Sequence, residues 1–210
     1  MEAPHWNHGG ETADRVIAVA GGFILAGTTN VGGNTDVLAI KINESGAIVW
    51  MRTYGDGEAE YAHSITATPD DGALISGLKA GYPFVQRIDR TGNLLWARVL
   101  TITHPDVGRV NVARSGDFYY LAETGGGNGH NHGGGVEHTG IIVTKINLAG
   151  SVLWSRDYHF SQASAVWHLS GTSDGKIVIS GSTGTPDTLR AFVLQLDPNG
   201  KILWRKRYIR

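Results

Sequence analysis

Three histidines and one glutamate fall within eleven residues of this chain, in the stretch NGHNHGGGVEH at 128–138. Imidazole and carboxylate groups at this density suit a divalent transition metal such as Zn, Cu or Ni. The surrounding glycines let the segment fold back, so His130, His132, His138 and Glu137 can converge on one ion. We therefore predict a candidate metal site formed by these four residues. A contact face that senses pH or metal, and a solvated glycine loop without a ligand, are the alternatives.

Other histidines and two of the tryptophans lie outside the sequence repeat that is described below. We predict that the following side chains contribute to a ligand or interface site: Trp6, Trp167, His5, His8, His104 and His159. The sequence contains no nucleophile elbow, P-loop, zinc-protease helix or dinucleotide fingerprint. We therefore predict no catalytic residue and no cofactor site.

The composition narrows the class of protein. The 210 residues include no cysteine, which excludes disulfides, thiolate metal ligands and a cysteine nucleophile. A formal net charge of −1 gives no electrostatic reason to expect a nucleic acid or an anionic membrane as partner. No apolar run is long enough to span a membrane, and the start MEAPHWNHGG lacks the pattern of a signal peptide. We expect a mature chain at an extracellular or cell-surface location.

A repeat of tryptophan, glycine and Asn or Asp organises the chain. Each tryptophan follows a glycine by four residues and an Asn or Asp by seven, and the set is Trp50, Trp96, Trp154 and Trp204. Their spacings are 46, 58 and 50 residues. The sequence Asx-x-x-Gly favours a tight hairpin turn, because the Asx side chain can bond the backbone two residues on and glycine accepts a positive φ.

Each of these turns joins two apolar strands, and a second hairpin precedes each pair, so one repeat forms a four-stranded meander. Four such repeats predict an all-β protein, a β-propeller of four four-stranded blades. We place an N-terminal segment at 1–11 and a single propeller domain at 12–210. The predicted blades span about 12–58, 59–104, 105–161 and 162–210. A two-sheet β-sandwich is the alternative, and the four-fold register of turn and tryptophan argues against it.

The pattern D/N-x-x-G-x-x-x-W resembles the tryptophan-docking motif of quinoprotein-like (PQQ-like) propeller repeats. It is also similar to the blade repeats of secreted bacterial and archaeal propellers. The resemblance covers residues 12–210 and implies that the four repeated tryptophans are structural and dock between neighbouring blades. It does not imply a quinone cofactor, because the residues of that cofactor pocket have no counterparts here. Such propellers include enzymes, scaffolds and ligand binders, so the resemblance indicates a fold rather than an activity.

A propeller brings the residues with functional chemistry to one face. Connections between blades share a face with the link between the second and third strands of each blade, and all nine histidines fall on or near it. The stretch 128–138 is an insertion into the third blade alone, which explains the longer spacing of 58 residues. This face is therefore where we expect function to lie.

No strand is left over to close the ring, so three arrangements are open. The chain closes as four blades, pairs with a second chain into eight, or joins further subunits through its outer strand. We expect a non-catalytic, extracellular, self-associating structural subunit, either a ring-completing dimer or a filament, that forms a homo-oligomer or polymer. The alternatives are a propeller that binds a metal or glycan on the histidine-rich face, and an enzyme of the quinoprotein-like or lyase kind.

Overall fold

A computed structural model describes residues 10–100, 108–124 and 140–208. Within these ranges the chain forms sixteen strands, arranged as four antiparallel sheets of four consecutive strands each. The predicted all-β fold class, a propeller of four four-stranded blades, is confirmed. The helical content of the described residues is one short 3-10 turn at Pro186–Thr188, and no helix there has the length and hydropathy of a membrane span.

Within each blade, consecutive strands pair side by side. Blade 1 contains β1 (Thr12–Val19), β2 (Gly22–Val31), β3 (Asn34–Ile42) and β4 (Ile48–Tyr54). Blade 2 contains β5 (Glu60–Ala67), β6 (Ala73–Lys79), β7 (Tyr82–Ile88) and β8 (Leu94–Val99). Blade 3 contains β9 (Val110–Ser115), β10 (Phe118–Thr124), β11 (Gly140–Ile146) and β12 (Val152–His159). Blade 4 contains β13 (Ser164–Gly171), β14 (Ile177–Thr183), β15 (Arg190–Leu196) and β16 (Ile202–Tyr208).

The repeated turn between the third and fourth strands forms as its sequence predicts. In blade 1 the side-chain oxygen of Asn43 accepts hydrogen bonds from the backbone N–H groups of Ser45 and Ala47, at 3.0 and 2.8 Å. Gly46 adopts a φ of +82°, a conformation that strains any residue with a Cβ. The turn glycines of the other blades, with φ between 79° and 81°, are Gly92, Gly150 and Gly200.

Three apolar clusters join blade 1 to blade 2, blade 2 to blade 3 and blade 3 to blade 4. At the first interface the Nε1 of Trp50 donates a hydrogen bond to the backbone carbonyl of Arg90, at 3.1 Å. A Cβ added to Gly92 would lie 3.1 Å from the Trp50 ring, so the bare glycine backbone receives the indole. The Trp96 and Trp154 rings approach the turn glycines of blades 3 and 4 in the same way.

The corresponding contact between blade 4 and blade 1 is absent from the described residues. Trp204 is 39% exposed, and apart from its chain neighbours no described atom lies within 4 Å of the Cβ position at Gly46. Phe23 on blade 1 is 40% exposed. Side chains at the same register position in the other blades are fully or almost fully buried, namely Ala73, Tyr119 and Ile177. The described residues therefore form an arc of four blades that is packed through three interfaces.

The first strand of each blade lies on the inside of the arc. Strand β5 packs beside β1 and β9, and β9 packs beside β13. All four strands line an axial channel of about 360 Å³. These inner strands position the residues of the candidate site.

Candidate ligand-binding site at the channel mouth

Three of the four inner strands contain a β-bulge at the same level. The register with the second strand shifts at Asp14 in β1, at His63 in β5 and at Trp167 in β13. A bulge adds one residue to a strand and redirects its side chain, and bulges are common beside functional sites. Here they place a carboxylate, an imidazole and an indole at the same end of the channel.

A glycine in the second strand makes each bulge possible. Gly27, Gly77 and Gly181 stand opposite the three bulges. A Cβ at Gly77 would lie 1.7 Å from the backbone carbonyl oxygen of Tyr61, and a Cβ at Gly27 or Gly181 would lie within 2.0 Å of a carbonyl oxygen of the inner strand. In blade 3 the equivalent residue is Glu123, which pairs with Val110, and the pairing of β9 with β10 runs without a shift.

Asp14 and His63 line a pocket of about 620 Å³ at the channel mouth, together with Tyr61 and Arg109. Ligand pockets of small-molecule sites measure roughly 300–1,000 Å³, so this volume suits a ligand of a few rings. The residues that follow Asp14 and His63 in β1 and β5 line the channel. The mouth pocket and the channel are therefore lined by consecutive residues of β1 and β5.

His63 is held as a neutral hydrogen-bond donor. Its Nδ1 accepts a hydrogen bond from the backbone N–H of Val110 in blade 3, at 3.3 Å, so the ring proton resides on Nε2. Burial, assisted by the positive charge of Arg109, lowers the pKa of His63 to about 4. At neutral pH the imidazole is uncharged and offers Nε2–H to a ligand.

Asp14 supplies the acceptors of the pocket. Its carboxylate accepts a hydrogen bond from the hydroxyl of Thr12, at 3.0 Å, and that hydroxyl in turn accepts the backbone N–H of Thr28 at 3.3 Å. These bonds fix the carboxylate at the edge of the pocket while lone pairs remain for a ligand. The guanidinium of Arg109 adds further donors on the blade 3 side.

Two exposed aromatic rings accompany these polar groups. Tyr61 lines the mouth pocket and is 46% exposed, and Trp167 in the blade 4 bulge is 55% exposed. The Nε1 of Trp167 donates a hydrogen bond to the hydroxyl of Ser182, at 3.0 Å, which orients the indole while its faces stay accessible. Rings with one polar anchor and an open face are suited to stacking on the apolar face of a ligand.

Of the candidate site residues from the sequence, the structure describes two. Trp167 lies at the channel mouth, whereas His159 is exposed at the end of β12, with its Nε2 3.6 Å from a carboxylate oxygen of Asp157. The four predicted metal ligands lie outside the described residues, as do four other candidates: His130, His132, Glu137 and His138, then Trp6, His5, His8 and His104. Among the residues that are described, no three or more His, Asp or Glu side chains are grouped to hold a metal ion.

Sequence reasoning did not select Asp14, Tyr61 or Arg109 for the site. The available signal was the glycine inside the second strand of three repeats, in the segments AGTT, SGLK and SGST. A glycine in a strand interior indicates a bulge or a close backbone approach. Reading across the hairpin from each glycine leads to the bulged residue.

No protein-family model matches the sequence, and no curated protein sequence is similar to it. Solved structures share the fold. An α-L-arabinofuranosidase from Podospora anserina aligns with a TM-score of 0.51 at 10% identity, over 96% of this chain and 69% of its own. A GH43 β-1,3-galactosidase aligns with a TM-score of 0.59 at 9% identity, over 99% of this chain and 49% of its own. An exo-1,5-α-L-arabinanase from a bovine ruminal metagenomic library aligns with a TM-score of 0.51 at 9% identity, over 92% of this chain and 76% of its own.

These likenesses define the fold as that of a β-propeller, and this chain spans only about half the length of the galactosidase. They contradict the prediction of a non-catalytic, self-associating structural subunit. The propellers that share the fold are named as glycosidases and an arabinanase, not as subunits of a filament or a paired ring. The prediction relied on unpaired blade edges, and an unpaired edge does not by itself specify a second copy as its partner.

Proposed function

We propose that this protein binds an oligosaccharide in the pocket at the channel mouth. The observation that carries the proposal is the convergence of Asp14, His63, Tyr61 and Arg109 on one pocket of about 620 Å³. Their groups match the demands of a sugar, whose hydroxyls need both donors and acceptors and whose ring carbons need an apolar surface. The solved propellers named as arabinofuranosidase, galactosidase and arabinanase add support from carbohydrate-acting proteins of the same fold.

The chemistry of the pocket divides between polar and aromatic groups. The Asp14 carboxylate accepts hydrogen bonds from two adjacent hydroxyls, while Nε2–H of His63 donates one. Tyr61 provides a surface for the ring of the sugar. Trp167 lies at the same level of the channel in blade 4, so a longer chain of sugars can extend towards it.

Binding of a sugar is the step that the described side chains of the mouth pocket support directly. Glycoside hydrolysis uses a pair of carboxyl groups about 5–10 Å apart, one on each side of the scissile bond. Among the described residues that line the mouth pocket, Asp14 is the single carboxylate. One carboxylate is sufficient to orient a sugar by hydrogen bonds.

A glycan array followed by calorimetric titration tests this proposal. We expect the wild-type protein to bind a defined set of oligosaccharides. Tyr61→Ala and Trp167→Ala should each weaken binding by about tenfold, which corresponds to 1.4 kcal/mol. Asp14→Asn keeps the shape of the side chain but removes the negative charge that strengthens hydrogen bonds from sugar hydroxyls. We expect this variant to lose affinity to a similar extent.

Tyr208→Ala is the matched control, because Tyr208 is a tyrosine of similar exposure, 56% against 46% for Tyr61, on the outer strand β16. It should bind as the wild type does. Absence of binding to every neutral and acidic glycan would show that the proposal is wrong. Equal affinities for the wild type and the three pocket variants would show that the site lies elsewhere.

We further propose an extracellular or cell-surface location and a relationship with quinoprotein-like repeats. An extracellular or cell-surface location suits a glycan ligand, since such ligands are abundant outside cells. A relationship with quinoprotein-like repeats is supported by the bond from the Trp50 indole to Arg90 and by the approach of Trp96 and Trp154 to the next blade's turn glycine.

A further inference from the structure

The channel mouth carries more positive than negative charge. Arg109 lines the mouth pocket, and Arg15, next to Asp14 in β1, lines the channel immediately beneath it. His63 is neutral at pH 7, because burial and the charge of Arg109 lower its pKa to about 4. Two guanidinium groups therefore face one carboxylate, that of Asp14.

The carboxylate of Asp14 does not neutralise either arginine by direct contact. Among the described residues, neither Arg15 nor Arg109 has a carboxylate oxygen within 4 Å of its side-chain nitrogens. Nη1 of Arg15 instead donates to the backbone carbonyl of Asp14, at 2.8 Å, while the Asp14 side chain accepts the Thr12 hydroxyl. Within the described residues neither guanidinium group donates another hydrogen bond, so their remaining N–H groups can serve a ligand.

The two arginines also affect each other electrostatically. Burial, together with the positive charge of Arg15, lowers the pKa of Arg109. Both side chains are only partly exposed, so water screens their repulsion incompletely. An anion between them would remove this repulsion and satisfy the free donors.

We infer that the oligosaccharide bound at the channel mouth is acidic, and that a carboxylate on one of its sugars sits between Arg15 and Arg109. This inference rests on the proposed carbohydrate-binding function. A planar guanidinium donates two parallel hydrogen bonds to a planar carboxylate, which makes arginine well suited to a uronic acid. The carboxylate lies at the base of the pocket, and the hydroxyls of the same sugar face Asp14 and His63.

The position of Arg15 defines how such a sugar enters. Thr12 and Asp14 line the mouth pocket, whereas the segment from Arg15 to Ile17 lines the channel. The ligand carboxylate therefore points inward along the channel axis. The rest of the oligosaccharide lies across the mouth, towards Tyr61.

Matched pairs of acidic and neutral glycans test the inference. Oligomers of galacturonate, mannuronate and glucuronate are titrated against the protein beside their carboxyl-reduced counterparts, which have the same size and linkage. At least one acidic oligomer should bind ten times or more tighter than its reduced form, and its affinity should fall as salt is added. Arg15→Met and Arg109→Met, which retain length but lose charge, should abolish this preference.

Arg207→Met on the outer strand is the control and should retain the preference, because Arg207 is an exposed arginine remote from the pocket. Thermal unfolding of each variant checks that it is folded. If the reduced oligomers bind as tightly as the acidic ones, the inference is wrong and the carbohydrate-binding proposal stands. If neither acidic nor reduced oligomers bind, while a wider glycan array is also negative, both are wrong.

Discussion

The Nδ1 of His63 in blade 2 accepts a hydrogen bond from the backbone N–H of Val110 in blade 3, at 3.3 Å. The bond joins two inner strands beside the mouth pocket, and it requires an unprotonated Nδ1. Protonation of His63 would convert this acceptor into a donor that faces another donor. The charge state of one imidazole is thus coupled to the packing of two blades.

This coupling predicts a loss of stability in mild acid. The pKa of His63 is about 4 in the folded protein and near 6.5 in an unfolded chain, so the unfolded chain binds more protons between these values. The free energy of unfolding should therefore fall as the pH drops from about 6.5 to 4, by at most about 3 kcal/mol from this residue. Urea unfolding across this pH range measures the effect.

His63→Gln should flatten this part of the pH profile, because the amide does not titrate. His159→Gln, at an exposed histidine on the end of β12, is the control and should leave the profile of the wild type unchanged. If the wild-type profile has the same slope as that of His63→Gln, the loss of stability in acid does not come from protonation of His63.

The bulge at His63 depends on the absence of a side chain at Gly77. A Cβ there would lie 1.7 Å from the carbonyl oxygen of Tyr61, so Gly77→Ala must push β5 away from β6. We expect a destabilisation of more than about 2 kcal/mol, in line with overpacked cores, together with weaker ligand binding. Gly10→Ala, where a Cβ meets no atom within 4 Å, should change stability little in the same urea titration. A stable Gly77→Ala protein with normal affinity would show that the bulge is dispensable.

Equivalent tryptophans should differ in their contribution to stability. Trp50 is 9% exposed and bonds to the next blade, whereas Trp204 is 39% exposed at the end of the arc. Trp50→Ala should cost about 3–5 kcal/mol, as expected for a buried tryptophan, and Trp204→Ala less than about 1 kcal/mol. Chemical unfolding of both variants measures the difference. Equal and large losses would mean that Trp204 is buried against blade 1 in solution.

The buried carboxylate of Glu60 and the amine of Lys79 should be strongly coupled in their effect on stability. Glu60 is 4% exposed, and the amine of Lys79 lies 3.0 Å from its carboxylate. Burial raises the pKa of Glu60, and Lys79 opposes that effect. Lys79→Met should therefore destabilise the protein by about 3 kcal/mol, because it leaves a buried charge without its cation.

Adding Glu60→Gln to Lys79→Met should recover much of that loss in a double-mutant cycle. Lys201→Met, at an exposed lysine after a turn, should have little effect and serves as the control. Strictly additive effects of the two substitutions would contradict the coupling.

The fold was predictable from the sequence because its determinants are local. Asn43 and Gly46 form their turn through bonds within five residues, and the same chemistry recurs in every repeat. Four copies of the unit in register leave few architectures other than a propeller. The tryptophan repeat likewise identified residues that contact the following blade, except at Trp204.

The candidate site was less predictable because it depends on contacts between distant segments. Asp14 and Arg109 are 95 residues apart and share a pocket only because their inner strands surround one channel. No spacing in the sequence encodes that arrangement. Trp167 was selected from the sequence because it stands outside the repeat, whereas Asp14 sits in an unremarkable strand and was not. In the sequence, the bulge at Asp14 is indicated only by Gly27 on the neighbouring strand.

The most direct test is the structure of the protein crystallised with an acidic oligosaccharide that binds it. We predict electron density for the ligand in the mouth pocket, with sugar hydroxyls within hydrogen-bond distance of Asp14 and of Nε2 of His63. A ligand bound solely at another surface, such as the outer strand β16, with the mouth pocket filled only by water, would contradict the assignment of this pocket as the binding site.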